Sequence, residues 1–313
     1  MRGPLYKQGY RPRFSGHQTF ALRYGWLKKT FDQVAVTEKN EENKSVFTDD
    51  DATAVFGVGK NMVASMRHWA NAAGIIEEPP ESRIIRTTKI GKKIFGEGGH
   101  DPYMEHPTTL WIVHWLLASN PEKTTWFWAY SHLQETTFER GQIVEGLHRL
   151  VRDREWIRPA PKTVENDAAC FVRTYAAQRV SDKAGLDDAL ESPLAELGLV
   201  RETGRDRFRF VRGPKSTLGG GAFAFALLDF WDRRSDAATL SFEAVACEPG
   251  GPGRVFLLDE NDVAERLAGI EETTGGALKW SETAGLEQVV RNPEKKPAEP
   301  LSCIGADYAA SAR

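Results

Sequence analysis

The stretch from residue 48 to residue 95 constrains the fold most. Thr48 is a helix cap by type, and Asp49, Asp50 and Asp51 suit the positive end of a helix dipole. The helix this predicts runs through Ala52–Phe56 and stops at Gly57. Only Val58 and Gly59 separate it from KNMVASMRHWANAAG, where Met62, Met66, Trp69 and Ala73 recur at helical spacing and predict a core-facing stripe. Lys60, Asn61, Ser65, Arg67, His68 and Asn71 then fall on or beside the opposite face. Gly74 ends that helix, and a strand at Ile75–Ile76, the turn EEPPES, a strand RIIRT and a short helix opening at Thr88 follow. Two short helices, a tight turn and a hairpin form the pattern of a winged helix-turn-helix.

In that pattern the second helix enters a DNA major groove. Lys60, Asn61, Ser65 and Arg67 would then face bases or phosphates, with Arg86 and Lys92 beside the backbone. The competing reading is a solvated helix face, or a unit that docks on protein. Charge placement bears on the choice. Net charge is only −3, but the first 31 residues hold no Asp or Glu, while carrying Arg2, Lys7, Arg11, Arg13, Arg23, Lys28 and Lys29. A basic arm on a mildly acidic chain points to a local anionic partner, and double-stranded DNA is the expected one.

Punctuation divides the chain. The loop GEGGHDPYMEHP (96–107) closes the basic unit of residues 1–98, and the Pro-rich RPAPKTVENDA (158–168) ends a helical, Trp-rich middle of 99–160. A C-terminal unit of 161–292 follows, then a tail of 293–313 expected to be flexible. The middle helix LWIVHWLLA is apolar almost all round and predicts burial; its tryptophans, with those of TTWFWAY, fit a core better than a platform for stacked bases. In RDRFRFVRG, arginines alternate with Phe208 and Phe210, predicting a strand with one buried and one basic face. The late TLSFEAVACEP, GRVFLLDENDVAERL and KWSETAGLEQVV segments read as a mixture of helix and strand, a candidate second winged-helix-like element. The fold class expected is α+β, mainly α.

Several classes are excluded. There is no P-loop, no G-x-G-x-x-G and no G-x-S-x-G, so no nucleotide cofactor is expected. Cys170, Cys247 and Cys303 stand apart, which suits a reduced, cytoplasmic protein. No apolar run is long enough to cross a bilayer.

Three constellations have residue types for chemistry. Around RFSGHQTF, Arg13 and Arg23 can clamp a phosphate, His17 can transfer a proton and Gln18 can orient a water; the same motif also suits a turn that satisfies its own backbone. HDPYMEHP gathers His100, Asp101, Glu105 and His106, ligand types for a metal without a recognisable ligand spacing. Asp32 with Glu42 and Lys44 imitates a nuclease D…E-x-K, but on a polar run where an apolar strand is needed.

FSGHQTF, followed by ALRYGWLKK, the helix pair near Val58–Trp69, IRTTKIGKKIF, SPLAELGLV, GPGRVF and KWSETAGLEQV together resemble one group. It is the SspB-type family of bacterial single-strand DNA phosphorothioation systems, a domain-of-unknown-function family encoded beside PAPS-reductase-like genes. The resemblance spans roughly Arg13 to Arg291. It implies a nicking endonuclease that cuts one strand so that sulfur can replace a phosphate oxygen, in phage defence. The implied partners are a cysteine desulfurase, an ATP-using sulfur-transfer enzyme and an ATPase. It marks Arg13, His17 and Gln18 as hallmark positions without assigning their roles. Mg2+ or Mn2+ is the candidate cofactor, and a homodimer is the candidate state, since paired winged helices span two half-sites. A DNA-binding adaptor or transcriptional regulator without a hydrolytic centre remains the alternative, and a scaffold that touches only proteins is a third.

Overall fold

The computed structural model describes residues 3–40, 43–177, 192–283 and 285–310. In chain order, α1 (Trp26–Thr37), α2 (Ala52–Phe56) and α3 (Lys60–Ala72) precede strands β1 (Ile76–Glu77) and β2 (Arg86–Thr87) and helix α4 (Lys89–Phe95). Next come α5 (Pro107–Ala118), α6 (Thr124–His132), β3 (Thr137–Glu139), α7 (Arg140–Asp153), α8 (Pro161–Tyr175), β4 (Val200–Gly204) and β5 (Arg207–Phe210). The remainder holds α9 (Gly220–Arg234), β6 (Thr239–Ser241), α10 (Phe242–Cys247), α11 (Pro252–Val255), α12 (Glu260–Ala268), α13 (Ile270–Thr273), β7 (Leu278–Thr283), β8 (Leu286–Arg291), α14 (Pro300–Cys303) and α15 (Gly305–Ala310). The fold is α+β and mainly α, with small antiparallel sheets.

The compact units are not the consecutive segments that the punctuation suggests. One gathers Arg13–Glu105 and Thr137–Arg209; the other gathers Met1–Pro12, His106–Thr136 and Phe210–Arg313.

In the first unit, α2 and α3 are joined by Gly57, at φ 61°, then Val58 and Gly59. α2 begins after Asp51 with no side-chain cap, and Thr48 instead donates to the Ser45 carbonyl, so the helix starts later than the Thr48 cap predicts. The ribbon is short: Ile76 pairs with Thr87 and Glu77 with Arg86. Thr88 caps α4 by accepting from the Gly91 amide at 3.0 Å, where the sequence puts that helix start. β3, β5 and β4 form a three-stranded sheet in that order, with Phe138 opposite Phe208 on its buried face. The predicted alternation holds there, since Arg207 and Arg209 are exposed and Phe208 is buried.

The second unit is built round α5, which is buried on nearly every side, as a helix apolar all round must be. Trp111 and Trp115 are fully buried, and the Trp115 indole donates to Asp229 at 2.7 Å. Trp126 and Trp128 are buried too, so these rings are core and not a base-stacking platform. β6, β8 and β7 make a sheet in that order, and KWSETAGLEQVV, read in part as helix, supplies the β7–β8 hairpin through Gly285 at φ 79°. GRVF, read as a strand, lies in the helical turn α11.

Within the segment expected to be a flexible tail, α14 and α15 are helical. Asp307 accepts from the Gly221 and Ala222 amides at 2.9 and 2.7 Å, capping the start of α9. A Cβ at Gly221 would lie 2.3 Å from the Cys303 carbonyl oxygen, so the Gly219–Gly221 run exists to let α14 and α15 approach. Ile304 and Tyr308, which pass unremarked in a polar tail sequence, are buried.

Burial sets an acid limit on this unit. It pushes His114 down to about 3 and His132 down to about 4. A histidine depressed in the folded state contributes stability that is complete above its unfolded value near 6.5, and loses it as pH falls toward the folded value. Urea unfolding between about pH 7 and pH 4 should therefore show stability falling by up to about 1.4 kcal/mol per pH unit for each histidine. His114→Gln should flatten that slope below pH 6.5; an unchanged slope would contradict the assignment.

Candidate nucleic-acid interface

The turn that carries the opening motif is backbone-strained. Ser15, Gln18 and Thr19 sit at φ 69°, 48° and 66°, with Gly16 at 101°. Non-glycine residues in this region cost about 1 kcal/mol or more each and persist only where the surroundings force them. Here the surroundings are two helices far apart in sequence.

From α8, Asp167 reaches into the turn and one of its oxygens accepts from the Ser15 amide at 2.7 Å and lies 2.8 Å from His17 Nε2. The Thr19 amide donates to His17 Nδ1 at 3.0 Å, so Nδ1 is the acceptor and Nε2 carries the proton given to Asp167. Arg173 donates to the Thr19 carbonyl and the Cys170 thiol to the Phe20 carbonyl. From α3, the Ser65 hydroxyl donates to the His17 carbonyl at 3.0 Å, and the Trp69 indole to the Phe20 carbonyl at 3.1 Å. A Cβ on Gly16 would stand 2.3 Å from the His68 ring, which explains the glycine.

This geometry bears on two sequence expectations. His17 is only 2% exposed, and both ring nitrogens are engaged inside the protein. Ser65, expected to face DNA, is fully buried because its hydroxyl is spent on the turn. Cys170 is no nucleophile either, since burial pushes its thiol far up.

Outside this knot, the turn exposes Arg13 and Gln18. Lys60 and Asn61 are exposed at the start of α3, and Arg86 is exposed on β2. Lys29, beside the α2–α3 turn, donates to the Phe56 carbonyl at 2.7 Å. Other expected contacts are already engaged. Arg67 makes a two-pronged pair with Glu78 at 2.8 and 2.5 Å, its guanidinium lying over Phe47. Arg23 lies over Phe20 and Trp26, and Lys28 pairs with Asp32 at 2.6 Å. Lys92 is exposed, 3.5 Å from Glu38. Arg11, in the other unit, is exposed.

The HDPYMEHP residues do not form a metal-holding cluster. Asp101 accepts from the Glu105 amide at 3.0 Å, closing its own loop, and His106 caps α5 by accepting from the Thr108 amide. Glu42 of the D…E-x-K imitation lies outside the described residues, as does the Lys44 side chain. Among the described residues no group of three or more His, Cys, Asp or Glu is placed to hold a metal, so no magnesium or manganese site is assigned. Among them, too, no helix is long and apolar enough to cross a membrane.

Asp167, Cys170 and Arg173 were invisible to sequence reading because they act about 150 residues from the motif they hold. Their role has a measurable consequence. His17→Ala and Asp167→Ala should each lower the unfolding free energy by about 2–4 kcal/mol, since each leaves a buried polar partner unsatisfied. The double variant should fall well short of the sum in urea unfolding. Losses under about 0.5 kcal/mol, as for a solvent-facing histidine, would refute the buried pair.

The comparisons with known proteins agree with this architecture. No curated protein matches the sequence. A magnesium ion-bound crystal structure of SspB is 28% identical over 96% of this chain and 88% of that one, with a TM-score of 0.80. A second SspB crystal structure is 27% identical over the same shares, with a TM-score of 0.79. The family described as "Protein of unknown function (DUF4007)" matches residues 14–308, and the chain belongs to that family.

Proposed function

We propose that this protein binds double-stranded DNA and opens one strand so that sulfur can be incorporated, as the nicking component of a DNA phosphorothioation system. The observation that carries the reading is the likeness to SspB along 96% of the chain, which supports a place in such a system. The helix-turn-helix order of α2 and α3 followed by the β1–β2 ribbon supports a winged-helix use of this region. In that use Lys60 and Asn61, at the exposed end of α3, approach base edges while Arg86 on the ribbon meets the backbone.

The chemistry falls to the outer side of the opening turn. Exposed Arg13 would hold a phosphate, and exposed Gln18, at φ 48°, would orient a water. His17 acts through the turn it fixes, not by touching substrate. The expected partners are the cysteine desulfurase, the ATP-using sulfur-transfer enzyme and the ATPase of the same system, with a homodimer as the acting state.

The burial of His17 favours one rival, a DNA-binding adaptor with no hydrolytic centre, because it removes the motif's acid–base group from the surface. Supercoiled plasmid incubated with the protein in Mg2+, Mn2+ or EDTA separates the two. The nicking reading expects open circles, with Arg13→Ala and Gln18→Ala slowing the conversion at least about tenfold, within the range a positioned group contributes. DNA affinity should stay within a few-fold. No open circles under any metal condition, with DNA binding intact, would overturn nicking in favour of the adaptor.

A further inference from the structure

The segment from Thr137 to Phe210 repeats, in a different sequence, the organisation expected of a winged helix. Strand β3 leads into α7 and α8, and β4 and β5 return as a hairpin whose second strand inserts beside β3, giving the order β3-β5-β4. Residues 239–291 follow the same plan, with β6-β8-β7 and the intervening helices α10 to α13. The two sheets therefore form an internal comparison: whatever the fold itself needs, both must have.

Their buried faces agree and their exposed ones do not. Phe138 opposite Phe208 in one sheet matches Leu240 opposite Val289 in the other. On the outside, the β4–β5 hairpin exposes Arg201, Arg205, Arg207 and Arg209, where the exposed charges of β7–β8 are Lys279, Glu282 and Glu287. The arginines are thus not a requirement of the fold. Nor are they consumed by it. Asp206 is taken by Arg140, and Glu139 lies 3.9 Å from Arg207, but among the described residues Arg201, Arg205 and Arg209 have no carboxylate partner. Glu202 is half-buried between them in sequence. Unpaired arginines repeated along a hairpin complement a regular row of negative charge, which duplex DNA presents along its backbone.

We propose that the β4–β5 hairpin is a second DNA-contacting wing, which grips duplex phosphates independently of sequence while α3 approaches the bases. It rests on the DNA-binding reading above. The two elements belong to one compact unit, and the opening turn ties them: Ser65 and Trp69 of α3, and Asp167 and Arg173 of the α8 that leads toward the wing, bond the same few residues.

The test is fluorescence anisotropy of the full chain on labelled duplexes of several sequences, across a salt series. Replacing Arg201, Arg205 and Arg209 together by Ala should weaken binding at least about tenfold on every sequence. It should also reduce the slope of log affinity against log salt by about two to three, close to one phosphate contact per residue. The triple Lys variant should restore the slope, which a folding defect would not allow. Lys60→Ala with Asn61→Ala should leave most of the slope and instead blunt differences among sequences. If the wild type binds with a steep salt slope and the triple Ala variant matches it, the second wing is wrong and the DNA reading stands. If the wild type binds no duplex, both fall.

Discussion

One carboxylate oxygen organises the unit built from Arg13–Glu105 and Thr137–Arg209. Asp167 Oδ1 takes the Ser15 amide and the His17 ring within the same turn, in a site from which water is excluded. A buried carboxylate is costly unless it is met by donors, and a turn with three non-glycine residues in left-handed backbone is costly unless it is held. Each compensates the other. The result is a rigid link between α3 and α8, elements that have no local reason to be neighbours. The glycine at position 16 is the steric condition for that link, because His68 fills the space where a side chain would begin.

This changes what the opening motif is for. Its His was the natural choice for proton transfer, being the one group in the turn with suitable acid–base character. In the structure the imidazole is a joint: Nδ1 closes the turn on Thr19, and Nε2 fastens it to α8. What the motif offers outward is the pair Arg13 and Gln18, carried on a backbone too strained to be accidental. Strain of this kind persists because distant helices hold the backbone that carries the pair. The same link gives two prospective DNA-contacting elements, α3 and the β4–β5 hairpin, a fixed frame within one unit.

Local signals in the sequence were readable where local physics decides them. Gly57 and Gly59 bracketing a short helix-to-helix turn, Thr88 as a cap and the Arg–Phe alternation of 207–210 each name their own structure. The apolar α5 likewise announced its burial. What failed to show was decided by long-range partners. Ser65 falls on the polar face of α3 by period, yet it is buried because the turn at His17 covers it. Residues 300–310 look like a frayed tail, and they fold because Asp307 finds the unsatisfied amides at the start of α9. The interleaved units are equally non-local, since α5 and α6 leave the segments that flank them and join the unit that holds α9. Asp167, the residue on which the site depends, is an unremarkable acid in a polar stretch of helix.

Hydrogen–deuterium exchange across residues 14–20 tests the central claim most directly. If the turn is a buried joint, the Ser15, Thr19 and Phe20 amides, bonded to Asp167, to the His17 ring and to the His17 carbonyl, will exchange slowly and in step with α8. In His17→Ala the turn and the facing parts of α3 and α8 will lose protection together. Exchange of these amides at the rate of an open loop, with α3 and α8 still protected, would contradict it.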